Sequence, residues 1–196
     1  MRRAAFLDRA AFLDRDGVIN IDHAYVHTIE AFEWVPGVLD AARRLHDAGF
    51  ALVVVTNQSG IGRGYYDEAA FGKLTDWMKA EFERAGAPLA GVFFCPHHPE
   101  KALPQYRQAC GCRKPEPGML LTAARTLGLD LTKSVIFGDK PDDCTAGARA
   151  GCPERVLLGT DGRAAPEASA DATQTFRSLA EAVSSPWFTQ FEKATR

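Results

Sequence analysis

The sequence lacks three features that would each point to a particular class of protein. It has no excess of one charge, since Lys and Arg number 23 against 25 Asp and Glu, which argues against a broad basic surface for nucleic acid or anionic membrane. It has no long apolar run, because the longest, Phe50–Val55, is far too short to cross a bilayer. Cysteine is scarce and odd in number, at 5, which argues against a disulfide framework. These absences favour a protein that acts on a small molecule.

The size and composition of the chain fit one globular domain. With 196 residues, of which 46% are apolar and 24% charged, it can bury a proper core, whereas two full domains would be cramped. We therefore predict a single domain over residues 1–196. The apolar stretch after Arg2 and Arg3 is interrupted by Asp8 and Arg9 before a secretory signal can form, which predicts a cytoplasmic protein.

Short apolar runs alternate with helical patterns along the chain. Each run suits a buried strand and ends in polar residues. Amphipathic stretches such as Pro36–Gly49 and Asp67–Gly86 begin at a favourable N-terminal residue and stop at glycine. This alternation predicts an α/β fold with a doubly wound, Rossmann-like parallel sheet covered by helices on both faces. The apolar runs cover residues 10–14, 50–56, 91–95, 134–139 and 155–159.

Carboxylates at the predicted strand ends indicate a metal site, because ligands of such sheets bind beyond the carboxyl ends of the strands. Asp14 and Asp16 follow the first run, and Asp139 ends the fourth. Carboxylates gathered at one sheet edge suit Mg²⁺, which takes oxygen ligands and leaves positions for a phosphate oxygen. The pattern therefore predicts a magnesium site.

Residues suited to holding a phosphoryl group accompany these carboxylates. Thr56 supplies a hydroxyl, and the turn over residues 57–60 supplies backbone N–H donors. Arg113 and Lys114 add positive charge. Because Asp-x-Asp-Gly alone is also a common surface turn, the prediction of a phosphate site depends on the combination.

The hexapeptide AAFLDR occurs twice in a row, at residues 4–9 and 10–15. A shift by one copy preserves the in-and-out alternation of a strand, so either copy could supply the first strand. Only the second copy is followed by another carboxylate and a glycine, whereas Ala10 stands at the matching position after the first. We therefore predict that the copy ending in Asp14-Arg15, and not the copy ending in Asp8-Arg9, belongs to the site, and that residues 1 to about 8 form a loosely held extension.

Cysteines and histidines concentrate between residues 95 and 112. Three thiolates and one imidazole have the composition of a closed structural zinc site. We predict a zinc-binding loop over residues 95–112 that fixes Arg113 and Lys114 directly behind it. Cys144 and Cys152 lie outside this cluster and are predicted to be buried, inert thiols. The candidate zinc ligands are Cys95, His97, Cys110 and Cys112, with His98 as an alternative to His97.

Four segments together resemble the motifs of the haloacid-dehalogenase-like phosphatases over nearly the whole chain. They are FLDRDGV, VVVTNQSG, CRKP and FGDKPDD, in that order. The resemblance implies that Asp14 is the nucleophile that forms an aspartyl-phosphate and that Asp16 is the general acid and then the base. It also implies that Thr56 and Lys114 hold the transferring phosphoryl group.

The same resemblance implies the ligands of the catalytic cation. Asp139 would bind Mg²⁺ beside Asp14 and the backbone carbonyl of Asp16, and Asp143 would support them from behind. The intervals between Asp16 and Phe50 and between Thr56 and Lys114 are too short for an inserted cap domain. Substrate selection is therefore expected from short loops.

The zinc loop narrows the resemblance to the capless heptose bisphosphate 7-phosphatases. The segments NIDHAYVH and CPHHPE favour this group over the histidinol-phosphate phosphatases, which share the Asp-x-Asp and zinc motifs. The group implies magnesium-dependent removal of the C7 phosphate of D-glycero-D-manno-heptose 1,7-bisphosphate, in the supply of lipopolysaccharide core sugars, by a monomer. The alternative, from a different functional class, is a zinc-stabilised binding module that keeps this fold but does not turn over a substrate.

The resemblance also implies a set of substrate-binding residues in the loops around the site. A plain surface loop remains an alternative for the first of them, Asp22 and His23, because that stretch has no mechanistic signature of its own. The implied residues are Asp22, His23, Ala24, Tyr25, Asn57, Gln58, Ser59, Arg113 and Lys140.

Overall fold

The computed structural model describes residues 7–159 and 169–195. In this part of the chain, six parallel strands form one sheet in the order β3-β2-β1-β4-β5-β6, so the first strand lies near its centre. The strands are β1 (Ala10–Leu13), β2 (Ala51–Asn57), β3 (Leu89–Cys95), β4 (Val135–Gly138), β5 (Glu154–Leu158) and β6 (Gln174–Phe176). The α-helices are α1 (Val38–Asp47), α2 (Ser59–Gly62), α3 (Glu68–Arg84), α4 (Gly118–Leu127), α5 (Pro141–Ala150), α6 (Leu179–Ser184) and α7 (Pro186–Ala194).

Side chains alternate between the two faces of the sheet and build two separate cores. In β1, Ala11 and Leu13 belong to the core formed with α1, α3, α6 and α7, whereas Ala10 and Phe12 belong to the core formed with α4 and α5. All four side chains are fully buried. Because helices cover both faces, the central strands are apolar throughout, and the predicted doubly wound α/β fold is confirmed.

All five predicted strands are present, with ends that differ by a residue or two. The edge strand Gln174–Phe176 was missed, because its three half-exposed residues give no apolar run and depend on pairing with β5. The predicted helical stretches correspond to α1 and α3. The second begins where predicted, since the Asp67 carboxylate accepts a hydrogen bond from Ala70 N at 2.7 Å. None of the described helices has the length and apolar character that a membrane span requires.

Two long connections lie at the carboxyl edge of the sheet. Residues 14–37 join β1 to α1, and residues 96–117 join β3 to α4. The first folds back on itself, since Ile21 N donates to Glu33 O at 2.8 Å and Val35 N donates to Ile19 O at 3.0 Å. Within the described ranges neither connection contains a further domain, in agreement with the predicted absence of a cap.

The amino end of β1 is held by the segment before β4. Asp8 O accepts a hydrogen bond from Asp130 N at 2.5 Å, and the Asp8 carboxylate lies 2.9 Å from Lys133 Nζ. The predicted loose extension is therefore wrong at Asp8, because this residue already pairs with the neighbouring segment. The rest of that prediction falls mainly on residues 1–6, which lie outside the described residues.

Candidate active site

Three aspartates gather where β1 and β4 end. Asp14 follows β1, Asp139 follows β4, and Asp143 lies in the first turn of α5. One carboxylate oxygen of each lies within 4.8 Å of the others, and all three residues are buried. Asp139 Oδ1 is buried without a hydrogen-bond partner. A buried, unpaired carboxylate oxygen beside further carboxylates fits a hard divalent cation.

The charge state of the cluster agrees with this fit. Burial raises the pKa of Asp14 to about 6; the Lys114 ammonium opposes the shift, and the Asp143 carboxylate adds to it. Burial also raises the pKa of Asp139 to about 7, and the negative charge of Asp14 adds to this shift. A cation among these oxygens would offset the crowding of negative charge.

Gly17 allows the loop after β1 to approach the cluster. Its φ is 89°, in the region that favours glycine, and a Cβ at this position would lie 2.4 Å from Asp139 Oδ2. A side chain at residue 17 would therefore displace Asp139. Packing against Asp139 therefore explains why a glycine ends the Asp-x-Asp-Gly sequence in this fold.

Lys114 is a buried cation beside Asp14. Its Nζ lies 3.0 Å from Asp14 Oδ1 and 2.6 Å from Asp143 Oδ1, and donates to Val55 O at 2.8 Å. Burial opposes its charge, but the two carboxylates outweigh this effect and raise the pKa of Lys114. The side chain therefore stays charged beside Asp14.

Asn57 holds the backbone of Lys114 in place. Asn57 Nδ2 donates to Lys114 O, and Lys114 N donates back to Asn57 Oδ1, both at 3.1 Å. Both ends of the amide are engaged in this reciprocal pair. Asn57, predicted as a substrate contact, lines the pocket, and its side chain also joins β2 to the lysine.

Asp16 is held by a hydrogen-bond network that also reaches β2. Arg15 Nη2 lies 2.8 and 2.9 Å from the two Asp16 carboxylate oxygens, and Asn20 Nδ2 donates to Oδ1 at 3.1 Å. Gln58 Nε2 donates both to Asp16 Oδ2 at 3.0 Å and to Thr56 Oγ1 at 2.8 Å. The network thereby connects Asp16 and Thr56, which the sequence predicted as parts of one site.

The cysteine cluster forms as predicted. The three Sγ atoms lie 3.2, 3.3 and 3.5 Å apart, and His97 Nδ1 lies 3.5 Å from Cys112 Sγ and 3.7 Å from Cys95 Sγ. The four donor atoms lie close enough together to share one metal ion, and three thiols with one imidazole suit tetrahedral zinc. His97, and not His98, lies in this cluster, and His98 Nδ1 instead accepts hydrogen bonds from Glu100 N and Lys101 N.

The cluster is joined to the carboxylate site through Arg113. Arg113 Nη1 donates to His97 O at 3.2 Å, and Arg113 lines the pocket over Asp14. Cys144 and Cys152 lie elsewhere and are buried, and burial raises the pKa of each thiol to about 12. Their predicted inertness is consistent with these environments.

An open pocket of about 340 Å³ covers the site. At its rim Asp22 Oδ2 lies 3.4 Å from Lys140 Nζ, and Asp22 Oδ1 accepts from Ala24 N at 3.0 Å. Ala24 and Tyr25 adopt φ values of 59° and 56°, which are strained for residues other than glycine. The predicted substrate residues that line the pocket are Asp22, Ala24, Tyr25, Asn57, Gln58, Ser59, Arg113 and Lys140.

Comparison with known proteins places the chain among phosphatases. It is 49% identical over 178 residues to the D-glycero-beta-D-manno-heptose-1,7-bisphosphate 7-phosphatase of Escherichia coli K12, covering 91% of this chain and 90% of that protein. The Yersinia pestis protein of the same name is 46% identical, with 91% and 92% covered. The chain belongs to this family. Residues 111–182 also match the family model described as HAD-hydrolase-like.

Solved structures support the same assignment. The D,D-heptose 1,7-bisphosphate phosphatase of B. bronchiseptica, complexed with magnesium and phosphate, has a TM-score of 0.76 at 33% identity, over 93% of this chain and 98% of that one. A HAD-like phosphatase from Mesorhizobium loti has a TM-score of 0.77 at 35% identity, over 95% and 85%. The predicted resemblance to a phosphatase of the haloacid-dehalogenase-like class is confirmed.

Two residues of this heptose bisphosphate phosphatase family member stand apart from the sequence prediction. His23 does not line the pocket. Its Nε2 instead lies 2.8 Å from Glu33 Oε2, on the part of the loop that folds back. Arg15 received no predicted role, although it is buried against Asp16. The only sign of this role in the sequence is that Arg15 stands between Asp14 and Asp16. The alternation of side chains along a strand does not predict that the Arg15 side chain folds back onto Asp16.

Proposed function

We propose that this protein removes the C7 phosphate of D-glycero-D-manno-heptose 1,7-bisphosphate and leaves the anomeric phosphate in place. The observation that carries the proposal is the contact between Asp14 and Lys114 beneath an open pocket, in a chain 49% identical to proteins named for this reaction. A carboxylate beside a buried ammonium and a carboxylate cluster suited to a divalent cation fits attack on a phosphoryl group. The product would serve the synthesis of heptose-containing surface sugars.

In the first step, Asp14 attacks phosphorus and the bond to the C7 oxygen breaks. Asp16 donates its proton to that leaving oxygen, so the sugar departs as an alcohol. Lys114 and the Thr56 hydroxyl bind the phosphoryl oxygens. Magnesium held by Asp14, Asp139 and the backbone carbonyl of Asp16 would supply positive charge to offset the negative charge of the phosphoryl oxygens.

In the second step, a water molecule attacks the aspartyl-phosphate at phosphorus. Asp16, now ionised, takes a proton from this water, and the bond between phosphorus and the Asp14 oxygen breaks. Inorganic phosphate leaves and Asp14 returns as a carboxylate. The same residue thus gives and regains one proton in each cycle.

The zinc cluster has a structural role in this proposal. Three thiolates and an imidazole fill a tetrahedral shell and leave no position for substrate. Zinc would close the loop of residues 95–112 and fix Arg113 through the His97 carbonyl. The ligands are Cys95, His97, Cys110 and Cys112.

Short loops would select the substrate, since the described chain carries no cap. The Asp22–Lys140 pair and the strained Ala24–Tyr25 segment form the rim of the pocket, and Arg113 faces them. These groups offer a polar and charged surface to a sugar phosphate. A monomeric, single-domain, cytoplasmic enzyme remains the prediction.

Phosphorus NMR with heptose bisphosphate and magnesium tests the proposal. We expect the C7 phosphate signal to disappear first and the anomeric signal to persist. Earlier loss of the anomeric signal would contradict the assignment. Equal efficiency on histidinol phosphate would favour that activity instead, and binding without any phosphate release would favour a non-catalytic module.

A further inference from the structure

Tyr66 lies beneath the pocket and has no role in the reaction described above. It is 8% exposed, and its hydroxyl donates to Gln58 Oε1 at 2.5 Å. Burial raises the pKa of Tyr66 to about 12, while the Arg15 charge opposes the shift, so the phenol stays protonated at neutral pH. The hydroxyl is therefore a constant hydrogen-bond donor to the amide oxygen.

This donor decides which way the Gln58 amide faces. With Oε1 bound to the tyrosine, Nε2 points at two acceptors, Asp16 Oδ2 and Thr56 Oγ1. The reversed amide would place a carbonyl oxygen against the Asp16 carboxylate, which is repulsive. Gln58 is 2% exposed, so water does not substitute freely for a lost partner.

The surroundings of Tyr66 are shaped to hold its ring. A Cβ on Gly60 would lie 2.2 Å from Tyr66 Cε1, so the ring occupies space that only glycine leaves. The His27 ring stacks on the Tyr66 ring, with centroids 4.8 Å apart and planes 2° from parallel. The hydroxyl is thus fixed by packing as well as by its hydrogen bond.

We propose that Tyr66 is a positioning residue for proton transfer: its hydroxyl orients the Gln58 amide, and that amide holds Asp16 and Thr56 in register. The inference rests on the proposed function, in which Asp16 protonates the leaving oxygen. An alkyl alcohol needs that proton to leave, whereas an acidic phenol departs without it. Removing the hydroxyl should therefore harm alkyl phosphates selectively.

The Tyr66→Phe variant tests this selectivity. We expect kcat on heptose bisphosphate to fall about tenfold, the upper end for a lost hydrogen bond between neutral groups, with KM changed less than about twofold. The kcat/KM for p-nitrophenyl phosphate reports only the steps up to the aspartyl-phosphate, before Asp16 acts as the base, and should change by less than about twofold. Tyr106→Phe is the matched control, because it loses a hydroxyl bound to Glu68 outside the pocket. Equal losses on both substrates would indicate a merely structural role and overturn the inference.

A double-mutant cycle with Gln58→Leu gives a second measurement that does not depend on the leaving group. If the hydroxyl acts through the amide, Tyr66→Phe should have no further effect on kcat in the Gln58→Leu background. If the two substitutions instead lowered kcat independently, so that their effects multiplied, the hydroxyl would not act through the Gln58 amide. A wild-type protein inactive on every phosphate ester would refute the proposed function, whereas an active wild type with an unaffected Tyr66→Phe variant would refute this inference alone.

Discussion

The two ends of β1 carry the same Asp-Arg dipeptide in opposite environments. Asp14 lies 3.0 Å from Lys114 with side chains 8% and 2% exposed, whereas Asp8 lies 2.9 Å from Lys133 with side chains 53% and 39% exposed. The two ion pairs have almost the same length. Burial at the carboxyl edge, and not the pairing itself, makes one carboxylate a candidate nucleophile.

The arginines differ in the same way. At the amino end Arg9 donates to the carbonyls of Ala48, Gly49 and Glu192, so it joins the strand to the ends of α1 and α7. At the carboxyl end the Arg15 guanidinium binds the Asp16 carboxylate. One arginine stabilises the fold, and the other arranges the site. The same dipeptide therefore has different functions at the two ends of the strand, because the two ends lie in different surroundings.

Asp14→Asn should produce the largest effect. An amide is not an anionic nucleophile, so we expect kcat to fall by about ten-thousandfold or more under saturating magnesium. Asp8→Asn is the matched control and should leave the rate unchanged. Substantial activity in Asp14→Asn, or its loss in Asp8→Asn, would assign the reaction to the other copy of the hexapeptide.

Lys114→Met should have the next largest effect. It leaves Asp14 and Asp143 buried without their ammonium, which we expect to lower the free energy of unfolding by about 3–5 kcal/mol and to reduce kcat/KM at least about a hundredfold. Urea unfolding in EDTA and steady-state kinetics measure the two effects. Lys133→Met, at the exposed pair, should match wild type in both, and a comparable loss there would mean that burial does not separate the two pairs.

The arginine pair separates activity from stability. Arg15→Lys should lower kcat about tenfold, because an ammonium cannot reproduce the guanidinium contacts with Asp16. Arg9→Lys should leave kcat unchanged and lower the free energy of unfolding by about 1–3 kcal/mol, since several backbone carbonyls lose donors. If Arg9→Lys reduced kcat in a fully folded sample, the division of roles would be wrong.

Cys110→Ser should have the smallest effect on activity. Loss of one thiolate should release zinc and loosen Arg113, with a fall in kcat/KM of about three- to tenfold. Metal analysis and kinetics on the same sample provide the test, and Cys152→Ala, outside the cluster, should keep its zinc. Full activity in a Cys110→Ser protein shown to be free of zinc would break the proposed link between the loop and Arg113.

The sequence was most informative where one physical rule fixed the outcome. Asp14 and Asp139 could be placed together because parallel strands bring their carboxyl ends to one edge. The second hexapeptide could be chosen because only it continues to Asp16 and Gly17. The observed register, with Ala10 opposite Ala51 and Asp14 at the pocket, agrees with that choice.

The prediction failed where the outcome depends on how a loop returns. His23 meets Glu33 only because the loop after β1 folds back on itself, and strand periodicity contains no such information. Strand periodicity also gives no sign of the Asn57 clamp on Lys114 or of the Tyr66 hydrogen bond to Gln58. These contacts join residues whose partners are set by three-dimensional packing.

The central place of β1 in the sheet has a consequence for biosynthesis. The strand is made early and its neighbour β2 is the next strand to follow, but its other neighbour, β4, leaves the ribosome much later. Asp14 therefore acquires its full set of partners only after Asp143 in α5 has been synthesised. Until then the apolar first strand has an unpaired edge, which nascent chains commonly shield by binding chaperones. The first strand to be synthesised is therefore among the last to be completed as part of the active site.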